Sequence, residues 1–321
     1  MPIIIQTTVT EVEAGLRLDV FLAGAIEDAT RSFLKKLIKE GDVVVNDHPC
    51  TKPSQAVAEH DEILVTLPDP LPTEPQPEKL PLDILYEDDS LVVVNKASGM
   101  VVHPAPGHDA GTLVNALLYH CDGYQQSGGD PRRPGIVHRL DRHTSGVMVA
   151  AKTPHAYTHL ARQAAAHAFD RRYVALARGE FKEQYGCINA GMGRSLSDPS
   201  RMAVTGVRAK DAVTHFETLE RYGVACLVAL KLETGRTHQI RVHLRFAGHP
   251  VLGDPIYGET RYQGWNLPAQ SKHVLQQLQG QALHAEHLGF EHPHTGEKMA
   301  FSSAPPVDFK NALEMLRRLS L

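Results

Sequence analysis

The alternation of apolar and polar positions divides the chain into a short first unit and a longer second one. In the first, Asp19 to Ile26 is amphipathic, and Arg31 to Glu40 places Phe33, Leu34, Leu37 and Ile38 on one stripe with Arg31, Lys35, Lys36 and Lys39 outside it. That spacing predicts a helix with one buried face. Thr30 is placed to cap it and Gly41 to end it. The run Val43-Val44-Val45, a turn at Asn46-Asp47 and the alternating stretch Glu62 to Leu67 read as strands, completing a helix-helix-strand module over residues 15–67. Between Pro68 and Pro81 lie six prolines, a density that rules out a helix or central strand and favours an extended tether. The reading is therefore a first domain over 1–67, a linker over 68–81 and a second domain over 82–321.

The second domain opens with strands at Ile84-Leu85-Tyr86 and Leu91 to Asn95, then a helix from Thr112 to His120 capped by Thr112. Val147 to Ala151 reads as a buried strand, and Thr153-Pro154, a cap followed by proline, starts a helix that runs to about Ala168. Arg171 to Arg178, Thr214 to Leu219 and Cys226 to Leu232 read as strands, and the run 194–210 as an exposed basic loop or hairpin. From Gly235 to Pro250 the alternation allows a strand, but Thr237 offers a cap, Gly248 a stop and Pro250 a terminator, so a helix is expected. Ile240, Leu244 and Ala247 would face inward, with Arg241 and Arg245 together on an adjacent face. A last strand or two, from Ala282 to Ala285 and from Phe301 to Phe309, precedes a helix over Lys310 to Leu319. This order lacks the regular period of a doubly wound fold.

Composition narrows the class. With 321 residues, 42% hydrophobic and 22% charged, the chain is ordinary for a globular protein and long enough for two folded units. Apolar runs such as Val224 to Leu230 are too short to cross a bilayer, and Met1-Pro2-Ile3-Ile4-Ile5 lacks a basic signal-peptide start, so a cytoplasmic protein without membrane contact is expected. The four cysteines, Cys50, Cys121, Cys187 and Cys226, include no Cys-x-x-Cys pair, which argues against a zinc knuckle or redox motif. A formal charge of −4 excludes a uniformly basic coat but leaves room for local basic surfaces.

The stretch that carries candidate chemistry is Gly135-Ile136-Val137-His138-Arg139-Leu140-Asp141-Arg142-His143-Thr144-Ser145-Gly146, where one carboxylate sits among two arginines and two histidines. In one reading Asp141 pairs with Arg139 or Arg142 on a solvated loop, an arrangement worth little. In the other, cations keep the acid ionised at the mouth of a nucleotide-binding cleft, ready to attack or to take a proton. Residues 15–67 resemble the S4 domain, a small RNA-binding module: Leu16-Arg17-Leu18-Asp19 is followed by the basic helix and by Gly41-Asp42-Val43-Val44-Val45-Asn46. His138-Arg139-Leu140-Asp141-Arg142-His143-Thr144-Ser145-Gly146 resembles the signature of the RluA family of pseudouridine synthases. Arg172-Tyr173-Val174-Ala175 and Leu232 to His243 follow in order, accompanied by Val93-Val94-Asn95-Lys96, Val102-His103-Pro104, Gly248-His249-Pro250 and Gly253-Asp254-Pro255-Ile256-Tyr257-Gly258.

That resemblance, strongest to the D-type branch that modifies large-subunit ribosomal RNA, implies an α+β fold. Its core would be a mixed, largely antiparallel sheet, preceded by a small α/β S4-like domain. It implies an isomerase that converts uridine in RNA to its C-glycoside with neither metal nor organic cofactor. The partner would be ribosomal RNA, free or in an assembling large subunit, and the enzyme a monomer. Asp141 matches the essential aspartate, Tyr173 the active-site tyrosine and Arg241 the basic partner of the aspartate. Arg139 would fill the gap left by a flipped base. Thr144, Arg132 and Arg133 join the S4-like cations Arg31, Lys35, Lys36 and Lys39 as RNA contacts, with Arg194, Arg201 and Arg208 as further phosphate ligands. Ala97 stands where proline is common, and Arg142-His143 where Lys-Asp is common in the nearest branch, which weakens assignment to one ribosomal position.

Two rivals follow from other features. Nineteen histidines, with pairs at His238/His243 and His284/His287, suggest a metal-dependent hydrolase, though the spacing fits no standard zinc motif. An S4-like module with basic loops also suits an RNA-binding ribosome-assembly factor without catalysis. A pure binder, however, needs no acid set like Asp141, Tyr173 and Arg241.

Overall fold

The structure is a computed structural model that describes residues 3–26, 31–67, 74–104, 109–195, 198, 201–205 and 209–319. Thr30, the proline-rich residues 68–73 and Arg208 lie outside the described residues. The chain forms two compact units, Met1–Thr73 and Glu74–Leu321.

In the first unit, β1 (Ile3–Thr8), β2 (Val43–Val45), β3 (His48–Pro49) and β4 (Glu62–Leu67) form an antiparallel sheet in the order β1-β4-β2-β3. Helices α1 (Leu18–Ala25) and α2 (Arg31–Glu40) share a core with it. Leu18, Phe21 and Leu22 of α1 meet Leu34, Leu37 and Ile38 of α2, each set spaced at i, i+3 and i+4, over the inward Ile63 and Val65 of β4. Phe33 departs from the expected stripe: it lies at the stripe's edge and is 37% exposed. Asp19 is fully buried at the end of the helix pair, and Arg17, Arg31 and Lys35 converge on its carboxylate at 3.0, 2.9 and 3.5 Å. They outweigh the cost of burial and hold its pKa down at about 2.

The second unit is built on a nine-stranded sheet. Its strands are β5 (Asp83–Glu87), β6 (Leu91–Lys96), β7 (Ser145–Ala151), β8 (Asp170–Arg178), β9 (Tyr185–Asn189), β12 (Val213–Arg221), β13 (Ala225–Leu232), β14 (Leu283–Glu291) and β15 (Lys298–Ser302). They run β5-β6-β7-β14-β8-β13-β12-β9, with β15 on β14. Neighbours are antiparallel except β7 and β14, which pair in parallel through Ser145 with His284 and Gly146 with Ala285. A separate hairpin pairs β10 (Met192–Arg194) with β11 (Met202–Val204), beginning two residues before the expected basic segment.

Helices cover both faces of the sheet. Val92, Val94, Met148 and Ala150 face a core that includes Leu113, Val114 and Leu117 of α3 (Leu113–His120) and Ile240 and Leu244 of α5 (Gln239–Phe246). Leu91, Val93, Val147, Val149 and Ala151 face the other core, with Ala156 and Leu160 of α4 (Pro154–Ala165). Burial on two sides explains the unbroken apolar run of β7. The helix α6 (Ala269–Gln276) and the terminal helix α7 (Val307–Leu319) add Leu275, Phe309 and Leu316 to the first core. Residues 76–80 run along α3: Asn115 Nδ2 donates to the Gln76 carbonyl at 2.7 Å, and the Glu78 amide to the Asn115 carbonyl at 2.9 Å. No helix among the described residues is long and apolar enough to cross a membrane.

Thr112 and Thr153 cap their helices as expected, each accepting a backbone N–H three residues on. The helix begun at Pro154 ends near Ala166 rather than Ala168, because His167 adopts left-handed backbone at φ 55°. Residues 239–246 form the expected helix, but Thr237 does not cap it. His238 holds that position with φ 58° and no capping side-chain bond. Buried Gln239 secures the turn instead: its Oε1 accepts from Thr234 Oγ1 and the Arg236 amide, and its Nε2 donates to the Val213 carbonyl and Thr214 Oγ1 on β12.

Candidate active site

The parallel joint between β7 and β14 positions the loop 136–144. Gly146 has φ 120°, and a Cβ there would lie 2.2 Å from the Ala285 carbonyl oxygen, so only glycine lets the strands meet at that point. The loop just before β7 is thereby brought to the end of the sheet where β14 lies beside Val174 and Ala175 of β8.

A buried lysine fastens that loop from below. Lys96 Nζ donates to the carbonyls of Ala97 and Met100 at 2.9 Å each and of Arg142 at 3.1 Å, while Ser98 Oγ donates to the His143 carbonyl at 3.0 Å. Burial pushes the Lys96 pKa down to about 7, and the charge of Asp141 works the other way. Leu140 is buried, leaving Arg139 exposed on one side and Asp141 partly exposed on the other.

Asp141 pairs with neither neighbouring arginine. Its Oδ2 accepts from Arg241 Nη1 at 3.0 Å, one hundred residues away in sequence, and its Oδ1 lies 3.9 Å from His238 Nε2. Arg142 Nε donates to the Gly99 carbonyl at 3.2 Å instead. Arg241 is itself clamped by Asp254, whose Oδ2 takes Nε at 2.7 Å and whose Oδ1 takes Nη2 at 2.8 Å. Oδ1 of Asp254 also accepts the amides of Ile256 and Tyr257, and the Tyr257 ring lies 5.0 Å from the guanidinium carbon. Burial disfavours the Arg241 charge, but Asp254 and then Asp141 more than offset it and raise its pKa above the ordinary arginine value. Burial likewise opposes ionisation of Asp254, and its bonds to Arg241 and the two amides hold its pKa below the usual value.

These groups border a cavity of about 450 Å³, whose wall includes Arg139, Asp141, Thr144, Tyr173, His238 and Arg241, with Ile136, Leu232 and Leu283 as apolar surface. Tyr173 enters from β8 and is nearly buried, and burial raises its pKa, so its hydroxyl stays protonated. Thr144 is buried, its hydroxyl accepting from Gln281 Nε2 at 3.0 Å. Arg133 reaches the cavity too, although both it and Arg132 pair with Asp130 at 3.4 and 3.5 Å. Arg194 lies in the separate hairpin, and Arg201 pairs with Asp198 at 3.0 Å. Arg31, Lys35, Lys36 and Lys39 belong to the first unit, where Lys36 lies 3.9 Å from Glu40. Asp254 and His238 lie within the motifs, but the sequence assigns Asp254 no role and His238 only a place in the hydrolase reading. The signal for Asp254 is an acid in the tight Gly253-to-Gly258 turn following the Arg241 helix.

This geometry meets independent comparisons. Residues 90–246 match the family model described as RNA pseudouridylate synthase, and residues 16–63 match the S4 domain. An uncharacterized RNA pseudouridine synthase of Bacillus subtilis is 42% identical over 314 residues, covering 98% of either chain. The chain belongs to the RNA pseudouridine synthases. Another relative, ribosomal large subunit pseudouridine synthase D of Zymomonas mobilis, is 43% identical over 97% of either chain. The solved structure of human RNA pseudouridylate synthase domain containing 1 superposes with a TM-score of 0.56 at 27% identity, covering 71% of this chain and 85% of that one.

Pseudouridine synthases are isomerases acting on uridine in RNA, and the α+β core with its S4 domain is the fold expected. The histidines that suggested a hydrolase are engaged otherwise. His243 contacts Thr214 Oγ1 and the Ala190 carbonyl, and His284 contacts Ser145 Oγ and the Ser303 carbonyl. Among the described residues no group of three or more His, Cys, Asp and Glu side chains could hold a metal ion.

Proposed function

We propose that this pseudouridine synthase modifies specific uridines of large-subunit, 23S ribosomal RNA, with Asp141 as its reacting carboxylate. The observation that carries this reading is an acid fixed at a cavity wall by Arg241, in a chain 43% identical to a large-subunit enzyme over nearly its whole length. The base must leave C1′ through N1, turn, and return through C5. A carboxylate serves this either by attacking C1′ or by taking the 2′ hydrogen, and both routes need it ionised and aimed at the sugar. Arg241 supplies the aim. The apolar wall excludes water that would capture the sugar, and the Tyr173 ring offers a face on which uracil stacks. Bonds are exchanged within one molecule, so no co-substrate is consumed.

Uridine in structured RNA must be flipped out at a cost of a few kcal/mol. Exposed Arg139, two residues before Asp141, takes the place of the extruded base, Thr144 contacts RNA from the cavity wall, and Arg132, Arg133, Arg194 and Arg201 serve as phosphate ligands. Residues 1–67 act as the S4 RNA-binding domain, with Arg31, Lys35, Lys36 and Lys39 toward phosphate, residues 68–81 as a connection and 82–321 as the catalytic domain. The enzyme works in the cytoplasm as a monomer. Mapping pseudouridine in ribosomal RNA from a deletion strain tests the reading: one or more sites disappear and return with the wild-type gene but not with Asp141→Asn. An unchanged map overturns the ribosomal assignment.

A further inference from the structure

One cation of the cavity wall has no role in the scheme above. Arg171 stands two residues before Tyr173 on β8, so the two side chains project from the same face of the strand, and both line the cavity. The next residue, Arg172, projects from the opposite face and pairs with Asp170 at 2.8 Å. That carboxylate is also within 3.4 Å of Lys231 and 3.6 Å of His287. Arg171 makes no ion pair among the described residues, and its Nε is buried without a hydrogen-bond partner. The ionisable rings near it bring no negative charge. Burial, aided by repulsion from Arg171, holds the His138 pKa down at about 3, and Tyr173 stays protonated.

The cavity wall is shaped to admit this guanidinium. A Cβ built on Gly235 would lie 3.0 Å from Arg171 Nη1, and the backbone of Gly235 is not left-handed. A side chain there would crowd the guanidinium and push it aside by a few tenths of an ångström, whereas glycine leaves it room. An arginine kept clear on one side, unpaired and bordering a cavity, is a site for an anion with fixed oxygens. Within RNA that anion is the phosphodiester. Building on the assigned reaction, we infer that Arg171 binds a nonbridging phosphate oxygen of a linkage flanking the flipped uridine, and so fixes the nucleotide's sugar against Asp141.

The test uses the full-length enzyme and a ribosomal RNA fragment containing the uridine found by mapping, with the 5′ or the 3′ linkage of that uridine replaced in turn by a neutral methylphosphonate. Wild-type kcat/KM should fall on one of the two by roughly tenfold or more, the scale of one missing charge-assisted hydrogen bond. Arg171→Gln should lose a similar factor on unmodified RNA and little more on that neutral linkage. Arg171→Lys should keep part of the rate, and Gly235→Ala, which only displaces the guanidinium, should give a smaller loss with the same insensitivity. Should Arg171→Gln fail to fold, the lysine and Gly235 variants decide by the same comparison. Unchanged kcat/KM in the variants, or variants that lose rate yet remain as sensitive as wild type at both linkages, overturns the phosphate contact. If mapping finds no such uridine, the ribosomal reading fails, and this inference falls with it.

Discussion

Arg241 and Asp254 are joined by two hydrogen bonds of 2.7 and 2.8 Å, so the guanidinium that meets Asp141 is already fixed before RNA arrives. Both side chains are nearly or fully buried, and breaking such a pair by removing one partner costs roughly 3–5 kcal/mol. Asp254→Asn keeps the shape but removes the charge. It should lower the melting temperature and reduce kcat more than it raises KM, as thermal unfolding and single-turnover kinetics will show. A variant with wild-type kcat and stability would mean that the clamp does not position Arg241.

On the proposed reading, Asp141→Asn removes the reacting charge and almost no volume. Isomerisation should be abolished while RNA affinity stays within a few-fold, because phosphate contacts supply most of the affinity. Tritium release from C5-labelled uridine in RNA reads the first, and filter binding the second. Product formation near the wild-type rate would remove Asp141 from the chemistry.

Much of this is legible in the residues themselves. The two helices of the first unit, the buried run of β7 and the helix carrying Arg241 follow from apolar spacing, and Thr112 and Thr153 cap their helices as expected. What escapes depends on interactions distant in sequence. β1 is a short apolar run that becomes a strand by pairing with β4, and α6 lacks an apolar stripe strong enough to announce it. His238 in a left-handed cap violates the propensity that favours Thr237, because Gln239 holds the turn from within the core. The Asp141–Arg241 pair is expected through the family resemblance. The acid that orients Arg241 shows only once the chain has folded Asp254 beneath it.

His138 gives a pH signature. Its Nε2 accepts the Val149 N–H at 3.1 Å, which requires the neutral ring, and burial holds its pKa at about 3, below the ordinary value of 6.5. The unfolded chain therefore binds a proton that the native one does not between those values. The resulting stability is complete above about pH 6.5 and is lost as the pH falls toward 3. Melting temperatures measured from pH 7 to 4 should decline more steeply for wild type than for His138→Gln, whose amide cannot take the proton. Parallel slopes would show that the ring titrates normally.

Removing residues 1–73 should weaken RNA binding and blur site choice while leaving slow activity at high RNA concentration. Affinity should also become less dependent on salt, by about 0.9 in the logarithmic slope for each duplex phosphate that is no longer neutralised. Binding isotherms at several salt concentrations measure this directly. If affinity and slope are both unchanged, the cations of α2 do not engage RNA.

The strongest test of the site concerns the coupling of Arg241 to Asp141. Arg241→Met retains most of the aliphatic length but removes the fork, so Asp141 loses its 3.0 Å partner and Asp254 is left buried without its cation. A loss of about 3–5 kcal/mol in transition-state stabilisation is expected, with part of the same loss appearing as lower stability. The second loss can be measured separately by denaturant unfolding, and kcat at saturating RNA is then compared for enzyme that is fully folded. On an Asp141→Asn background the Arg241→Met change should have a far smaller effect on rate, since no reacting charge remains for the guanidinium to aim. The stability loss from stranding Asp254 should persist on that background, because it does not depend on Asp141. Where both single mutants retain measurable residual rates, a double mutant showing their full, additive loss would mean that Arg241 acts on RNA independently of Asp141.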